Sequence, residues 1–348
     1  MNRIILPLLI LGALFSCAEP SSLDKPLIYD QEDPNRPELM KKAQDVFQSV
    51  TPREYTPNPY EKVQLGKMLY FDNRLSKDGN ISCNSCHNLE TFGVDNLPTS
   101  PGDTHELGGR NSPTTLYAYM HRQQFWDGRA KDVEEQAGMP ILNPVEHNIP
   151  SEEFLVARLK SIPEYVEKFA KVYGEQTHET LTFDHIGDAI GAFERRLNPR
   201  SRFDEYLDGN DEMLTALEKE GLTIFMDEGC TTCHSGVALG GSMIQKFGVY
   251  QDYWELTGSE TIDNGLYDIT KNESDRYLFK SPSLRNIEKT YPYFHDGSVD
   301  SLSTAVQIMA QTQLGKELEE EKVEKIVAFL KSLTATPDAE LIAVKNRE

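Results

Sequence analysis

Two short cysteine motifs constrain the fold of this chain more than any other feature of its sequence. Both read C-x-x-C-H, and their functional residues are Cys83, Cys86, His87, Cys230, Cys233 and His234. Two thiols one helical turn apart can bond the two vinyl-derived carbons of one haem, and the next imidazole can reach its iron. The pattern therefore predicts two covalently attached c-type haems, with His87 and His234 as proximal iron ligands.

Other uses of these cysteines agree less well with the sequence. A single motif is also typical of a zinc half-site or a redox dithiol, but here the motif occurs twice. The chain has five cysteines, and the fifth, Cys17, belongs to an N-terminal export signal. An exported protein can form disulfides, but haem attachment at both motifs leaves no thiol for one. Two haems in one chain imply electron transfer between them.

The N-terminal residues 1–17 predict export. Arg3 precedes an apolar run from Ile4 to Phe15 that is too short to span a bilayer. The segment ends in a sequence that resembles a bacterial lipobox, in which Cys17 is lipidated; ordinary cleavage nearby, with a free Cys17, is the alternative. Residues 18–37 are polar and contain prolines, so they are expected to tether the lipid to the folded body. The sequence thus predicts a periplasm-facing protein anchored to a bacterial membrane through this lipid alone.

The composition indicates a soluble globular protein of two domains. A chain of 348 residues, 38% hydrophobic and 26% charged, can bury two separate cores. Its formal net charge of -21 argues against a nucleic-acid partner, because the phosphates would be repelled. The same charge favours a basic or dipolar protein partner.

A similar arrangement of helices surrounds each motif. Helices are predicted from near Glu38, from about Pro59 to Phe71 ahead of the first motif, and from Thr215 to Met226 ahead of the second. Apolar residues at helical spacing predict a closing amphipathic helix in each half. These residues are Ile186, Ala189, Ile190, Phe193 and Leu197 in the first half and Val323, Ile326, Val327 and Leu330 in the second.

This weak internal repeat predicts a mainly α fold of two cytochrome c-like domains, each around one covalently bound haem, with long loops. The domain boundary is expected near Pro199, where a helix stops. Residues 38–199 then form the first haem domain, 200–335 the second, and 336–348 a C-terminal tail. Strand signals are scarce, and a haem supplies an apolar core on which long loops can pack.

The sixth iron ligands and the acid-base groups are less constrained. For the second haem, Met309 is a better candidate than Met243, which is too close to His234 in sequence; a core methionine is the alternative reading. Glu146 lies among apolar and proline residues that could desolvate its carboxyl for proton transfer, and a solvated surface position is its alternative. Candidates at the first haem remain open, and they are His105, His121, His147, Met120 and Met139.

Six sequence blocks, in order, make the chain similar to the bacterial di-haem cytochrome c peroxidase family from about Gln64 to Leu333. The blocks are Leu65-Gly66-Lys67-Met68-Leu69-Tyr70-Phe71-Asp72, Ile81-Ser82-Cys83-Asn84-Ser85-Cys86-His87, Gly109-Arg110-Asn111-Ser112-Pro113-Thr114, Gln124-Phe125-Trp126-Asp127-Gly128-Arg129, Ser283-Leu284-Arg285-Asn286 and Pro292-Tyr293-Phe294-His295-Asp296-Gly297. The resemblance implies that the His87 haem is the low-potential peroxidatic centre. It also implies that the His234 haem is the high-potential entry point for electrons.

The resemblance also implies roles for individual residues. Met309 matches the methionine ligand of the second haem, whereas related enzymes that oxidise tryptophans in a partner protein have tyrosine there. Trp126 matches a tryptophan between the haems that shortens the electron path, although core packing is compatible with it. Glu146 and Gln136 match the acid-base carboxylate and the neighbouring amide of the peroxide pocket.

A calcium ion between the domains is a further implication of the resemblance. Asn111, Thr290 and Pro292 match its side-chain and carbonyl ligands, and oxygen ligands suit this hard cation. The chain departs from the family at the loop that often carries a displaceable histidine ligand. Asp103 stands at that position, and His105 follows two residues later. Either His105 reaches the iron after a loop rearrangement, or the His87 haem is five-coordinate.

The expected activity is therefore reduction of hydrogen peroxide to water by an oxidoreductase of the cytochrome c peroxidase type. A small cytochrome c or copper protein is the expected electron donor, and the family's homodimer is possible. The alternatives are a non-catalytic di-haem electron carrier and a di-haem oxidase that acts on another substrate.

Overall fold

The computed structural model describes residues 36–50, 59–174 and 179–343 of the chain. This part of the chain is mainly helical, which confirms the predicted fold class. Short loops and single 3₁₀ turns connect many of the elements. The α-helices are α1 (Glu38–Val46), α2 (Tyr60–Tyr70), α3 (Cys83–Cys86), α4 (Val133–Leu142), α5 (Glu152–Lys160), α6 (Pro163–Tyr173), α7 (Phe183–Glu194), α8 (Arg202–Leu207), α9 (Ala216–Asp227), α10 (Tyr253–Thr257), α11 (Tyr267–Thr270), α12 (Leu302–Leu314), α13 (Glu320–Lys331) and α14 (Ala339–Ile342).

A glycine-mediated helix crossing organises the first half. Helix α7 begins where the Thr182 side chain accepts a hydrogen bond from the backbone N–H of His185. Its apolar face packs on α2, and the closest approach is at Gly66. A Cβ atom at Gly66 would lie 1.8 Å from the carbonyl oxygen of Ala189 and 3.0 Å from the Cβ of Phe193. Only glycine allows the two helices to approach this closely.

The second half repeats this crossing with α9 and α13. Helix α9 begins with a capping box between Thr215 and Glu218. A Cβ atom at Gly221 would lie 1.8 Å from the carbonyl oxygen of Lys325 and 3.0 Å from the Cβ of Phe329. The distances equal those of the first half, so the internal repeat inferred from the sequence is a repeat of tertiary packing.

Each half of the chain builds a large hydrophobic core, but the segments near the two ends of the described chain each pack on the core of the opposite half. Met40 of helix α1 and Phe47, the residue after it, belong to the second core, although both precede the first motif. Near the other end of the chain, Leu341 and Ile342 of α14 pack against the first core. The Lys67 amine caps this end by donating to the carbonyls of Glu340 and Ala343. The predicted boundaries 38–199, 200–335 and 336–348 remain a prediction.

A buried ion pair fixes the block around Arg285. Its guanidinium donates to both carboxylate oxygens of Asp204, at 2.8 and 2.9 Å, and both side chains are fully buried. The same carboxylate accepts the backbone N–H of Val50, and the Arg285 Nε donates to the carbonyl of Val237. Removal of one partner would leave a buried charge unpaired, which typically costs about 3–5 kcal/mol.

Strands contribute little, as expected. β1 (Ile244–Lys246) and β2 (Leu278–Lys280) form an antiparallel pair in which Ile244 is opposite Lys280. In residues 36–50, 59–174 and 179–343 no helix combines the length and apolar character needed to cross a bilayer. The predicted export signal, Cys17 and residues 18–35 of the predicted tether lie outside the described residues.

Candidate functional site

The first motif occupies a single turn of helix. Ser82 and Ser85 form a capping box that fixes the start of α3. Cys83 and Cys86 lie one turn apart, and the His87 N–H donates to the Cys83 carbonyl at 3.0 Å. Burial raises the pKa of the Cys86 thiol to about 11. The motif has the local geometry that its spacing predicts.

The His87 side chain is half-buried, and its buried Nδ1 atom has no hydrogen-bond partner among the described residues. Burial lowers the pKa of His87, which favours the neutral imidazole, and the charge of Asp95 acts in the opposite direction. A neutral imidazole is the form that binds iron.

The second motif follows α9 directly through Gly229, whose φ of 96° is readily adopted by glycine. The His234 N–H donates to the Cys230 carbonyl at 3.0 Å. The Nδ1 atom of His234 lies 3.2 Å from the carbonyl of Leu239, which orients the ring and leaves Nε2 for a metal. The Ser281 hydroxyl donates to the Cys233 carbonyl and holds the end of the motif.

Both motifs fit a covalently bound haem. Each offers two free thiols and one imidazole within five residues; His234 is buried and His87 is half-buried. Cys83 packs against the first hydrophobic core and Cys230 against the second, so each attachment point borders apolar surroundings. Two thiols that can bond the vinyl-derived carbons, followed by a neutral imidazole that can bind iron, match the pattern of c-type haem attachment.

Met309 lies in the middle of α12, and its neighbours Ile308 and Ala310 are buried. Its own side chain is partly exposed. The rival methionine, Met243, is 38% exposed just before β1. Met309 is thus less exposed than Met243, and its coordination of iron remains a prediction.

Glu146 and Gln136 belong to one continuous segment, in which α4 ends at Asn143 and a turn follows. The Asn143 amide donates to a carboxylate oxygen of Glu146 at 2.7 Å. Burial raises the pKa of Glu146, whereas the charge of Arg129 and the Asn143 hydrogen bond act in the opposite direction. This carboxyl is desolvated and held in place, as a proton-transfer group requires.

Hydrogen bonds hold the loop that contains Asp103 to two neighbouring segments of the chain. The Asp103 N–H donates to the Glu146 carbonyl at 2.8 Å, and the Asp103 carboxylate accepts from the backbone N–H groups of Asp78 and Asn80. Asp103 is 1% exposed, while His105 is exposed at a turn with a φ of 64°. Asp103 is therefore internal, whereas His105, the possible iron ligand, faces solvent.

Trp126 bridges the two halves through its backbone and its indole. The indole N–H donates to the Asn111 carbonyl at 2.9 Å, and the Trp126 carbonyl accepts from the Lys280 N–H at 2.6 Å. The Asn111 N–H in turn donates to the His295 carbonyl at 2.7 Å. The indole lies 6.4 Å from the buried His295 ring.

The three proposed calcium ligands lie on two segments that are bonded together. The Asn111 amide donates to the Leu97 carbonyl at 3.0 Å, which leaves its side-chain oxygen available to a cation. Thr290 and Pro292 lie on a segment held by the Asn96 amide, which donates to the carbonyls of Lys289 and Tyr291. In the part of the chain that is described, no group of three or more His, Cys, Asp or Glu side chains could hold a metal ion. Any cation here would have to rely on amide and carbonyl oxygens.

Comparisons with known proteins agree on one family. Residues 60–212 match a family model described as di-haem cytochrome c peroxidase, and residues 218–334 match a cytochrome c model. The chain is 48% identical to the cytochrome c551 peroxidase of Nitrosomonas europaea, over 82% of this chain and 84% of that protein. It is 45% identical to the Pseudomonas aeruginosa cytochrome c551 peroxidase, over 82% of each.

A solved structure is similar throughout. It is the crystal structure of a MauG-like protein associated with microbial copper homeostasis, with 30% identity and a TM-score of 0.71. The match covers 86% of this chain and 95% of that one.

The chain belongs to the di-haem cytochrome c peroxidase family. It is an oxidoreductase of this family, and its two cytochrome c regions imply two haem c groups.

Sequence reasoning missed several residues of this di-haem peroxidase. Asn143, three residues before Glu146, was detectable in principle, because an amide at that spacing can reach back across a turn. The contact between the Lys280 amine and the His121 Nδ1, at 3.1 Å, joins residues distant in sequence and left no local signal. Burial lowers the pKa of Lys280 to about 8, which marks it as an unusual buried cation.

Proposed function

We propose that this enzyme reduces hydrogen peroxide to water with electrons from a small cytochrome c or copper protein. Its similarity to two cytochrome c551 peroxidases supports peroxidase chemistry. The desolvated carboxyl of Glu146, held by Asn143, is the observation that carries the proposal. Haem, when bound, supplies the redox chemistry, while the protein supplies orientation and proton delivery.

In this proposal the first half performs the peroxide chemistry. Glu146 accepts the proton of the bound peroxide oxygen and returns it to the leaving oxygen, which departs as water. Asn143 keeps one carboxylate oxygen in position, and the Gln136 amide orients the peroxide. Burial of His87 keeps its imidazole neutral and available to the iron.

The second half receives the electrons. His234 and Met309 hold the haem that accepts them, because a thioether ligand raises the potential. Trp126 lies on the path between the halves, and its hydrogen bonds to both sides support that role.

We infer that His105 would not bind the iron of a haem held by His87. The exposed position of His105 supports this, and so do the hydrogen bonds of Asp103 that fix the loop. Reductive displacement of His105 would then not be needed for activity.

The proposal also includes a calcium site. A calcium ion bound by Asn111, Thr290 and Pro292 would join the segment before Trp126 to the segment before His295. Chelator treatment should then remove one calcium per chain, measured by elemental analysis.

Residues 1–17 would direct export to the periplasm, and Cys17 would carry a lipid anchor; a homodimer is compatible with the proposal.

The Glu146→Gln variant tests the proposed function. It keeps the shape of the side chain and removes its ability to accept a proton. We expect kcat/KM for peroxide to fall by about 10²-fold to 10⁴-fold with haem content unchanged. The control is Glu106→Gln, because Glu106 is also a carboxylate in the first half of the chain but is exposed. Parent-like turnover by haem-loaded Glu146→Gln would refute the proton-transfer role.

A further inference from the structure

A continuous series of aromatic rings leads away from Trp126. The ring centroid of Trp126 lies 6.4 Å from that of His295, which lies 5.1 Å from Tyr253. Trp254 follows at 5.0 Å from Tyr253, and Tyr277 follows at 5.0 Å from Trp254. We refer to these five residues as the aromatic chain. Each step is short enough for ring contact.

Burial distinguishes the middle of the aromatic chain from its ends. His295 is 2% exposed and Tyr253 is fully buried, whereas Trp126 at one end and Trp254 and Tyr277 at the other are partly exposed. Phe247 stacks on Tyr253 at 4.8 Å, and Phe279 lies 4.4 Å from His295. The inner members are thus enclosed by rings that are hard to oxidise, and the outer members meet solvent.

The chemistry of the rings differs along the aromatic chain. The Tyr253 hydroxyl donates to the backbone carbonyl of Asp263 at 3.0 Å and accepts from its N–H at 2.9 Å. Neither group is a base that could take a phenol proton, and burial raises the pKa of Tyr253. Oxidation of Tyr253 with proton loss is therefore unfavourable. Trp254, the next ring, has access to water for its indole proton.

We propose that the aromatic chain carries oxidising equivalents from Trp126 to Trp254 and Tyr277 when peroxide arrives faster than donor electrons. The proposal rests on the proposed role of Trp126 in the electron path. This transfer would keep oxidation away from the haem sites. It would also place the oxidised ring at the surface, where a second, small electron-rich reductant can reduce it.

The electron balance needs only peroxide, water and, where the ring is reduced again, the small surface reductant. Reduction of one peroxide molecule to two waters takes two electrons and two protons. An electron leaves Trp254 and travels inward, while its indole proton goes to solvent. A surface reductant returns the electron, or loss of a second electron and attack by water gives a hydroxylated ring. The net reaction of the latter is tryptophan plus peroxide to hydroxytryptophan plus water.

The experiment treats the haem-loaded enzyme with peroxide in the absence of any donor. Peptide mass spectrometry should find one added oxygen at Trp254 or Tyr277, and electron paramagnetic resonance should find a tryptophan or tyrosyl radical at early times. Trp254→Phe should lose the tryptophan signal and be inactivated by peroxide several-fold faster, with donor-supported turnover unchanged. Tyr250→Phe is the control, because Tyr250 is 68% exposed and packs over Gly315, away from the aromatic chain.

The outcomes separate this inference from the proposed function. Peroxide turnover with donor, combined with no oxidation at residues 253–277 of the parent, would overturn the aromatic chain alone. An unchanged radical and inactivation rate in Trp254→Phe would do the same. If the parent failed to reduce peroxide even with donor, the proposed function would fail and this inference with it. The parent peptide analysis decides the matter even if a variant does not fold.

Discussion

The two halves of the enzyme share one helix crossing but surround their histidines differently. A Cβ atom added at Gly66 in the first half or at Gly221 in the second would lie at the same distance from a carbonyl oxygen of the closing helix. Around the imidazoles the similarity ends. The Nδ1 atom of His234 is oriented by Leu239, whereas that of His87 has no hydrogen-bond partner in the described part of the chain.

The loops account for the remaining difference. The first half adds a desolvated carboxyl, Glu146, and the fixed loop at Asp103. The second half adds helix α12 with Met309. A duplicated framework thus carries two unequal sites, because connecting segments can change chemistry without disturbing the packing that holds the motif.

The shared crossing predicts the largest effect on stability. Gly66→Ala and Gly221→Ala should each lower the free energy of unfolding by about 3 kcal/mol, because the added Cβ overlaps a carbonyl in a packed interface. Gly109→Ala is the control; its Cβ would meet nothing within 4 Å, so the change should stay within about 0.5 kcal/mol. Chemical denaturation of the haem-loaded proteins measures all three. A large loss at only one of the two crossings would break the equivalence of the halves.

Met309→Leu tests the asymmetry from the second half. Loss of the thioether should lower the potential of the His234 haem, and donor-supported turnover should fall at least tenfold, or about 1.4 kcal/mol in the barrier. Met243→Leu, at an exposed position, should change neither quantity. Spectroelectrochemical titration gives the potential, and an unaltered potential in Met309→Leu would remove this residue from the iron.

Asn143→Ala tests the proton-transfer site of the first half through the pH dependence of peroxide turnover. Because burial raises the pKa of Glu146, the carboxylate form is present above that raised pKa and is lost as pH falls through it. Activity should therefore decline at a higher pH than the usual carboxyl value of about 4.3. Removal of the Asn143 hydrogen bond, which favours the charged form, should move this decline to still higher pH. A pH profile of kcat/KM shows the shift, and a move to lower pH would contradict the assigned cause.

The smallest effects are expected in the loop at residues 100–108. Asp103→Asn should weaken the bonds to Asp78 and Asn80 and reduce peroxide turnover several-fold, because the loop also holds the backbone of Glu146. His105→Ala should leave turnover and the spectrum of the oxidised enzyme unchanged, since the side chain is exposed. A spectral change in His105→Ala would identify it as an iron ligand after all.

Local patterns predicted the fold well, and long-range contacts explain what was missed. The helix expected from Pro59 to Phe71 spans Tyr60–Tyr70, because apolar period and proline act within a few residues. The packing of α1 on the second core joins segments about 160 residues apart, which no local pattern encodes. Similarly, Glu146 was found through its neighbours in sequence, while its desolvation became visible only in the fold. The burial of Asp103 depends on Asp78 and Asn80, far from it in sequence.

The inequality of the two haem sites can be tested most directly by adding one electron per chain to the haem-loaded enzyme. Electron paramagnetic resonance and near-infrared magnetic circular dichroism then identify the ligands of the haem that is reduced first, and added cyanide reports which ferric haem has an open position. The haem with histidine and methionine ligands should be reduced first, and cyanide should bind the other, still ferric haem. First reduction of the cyanide-binding haem, or two haems that behave alike, would contradict it.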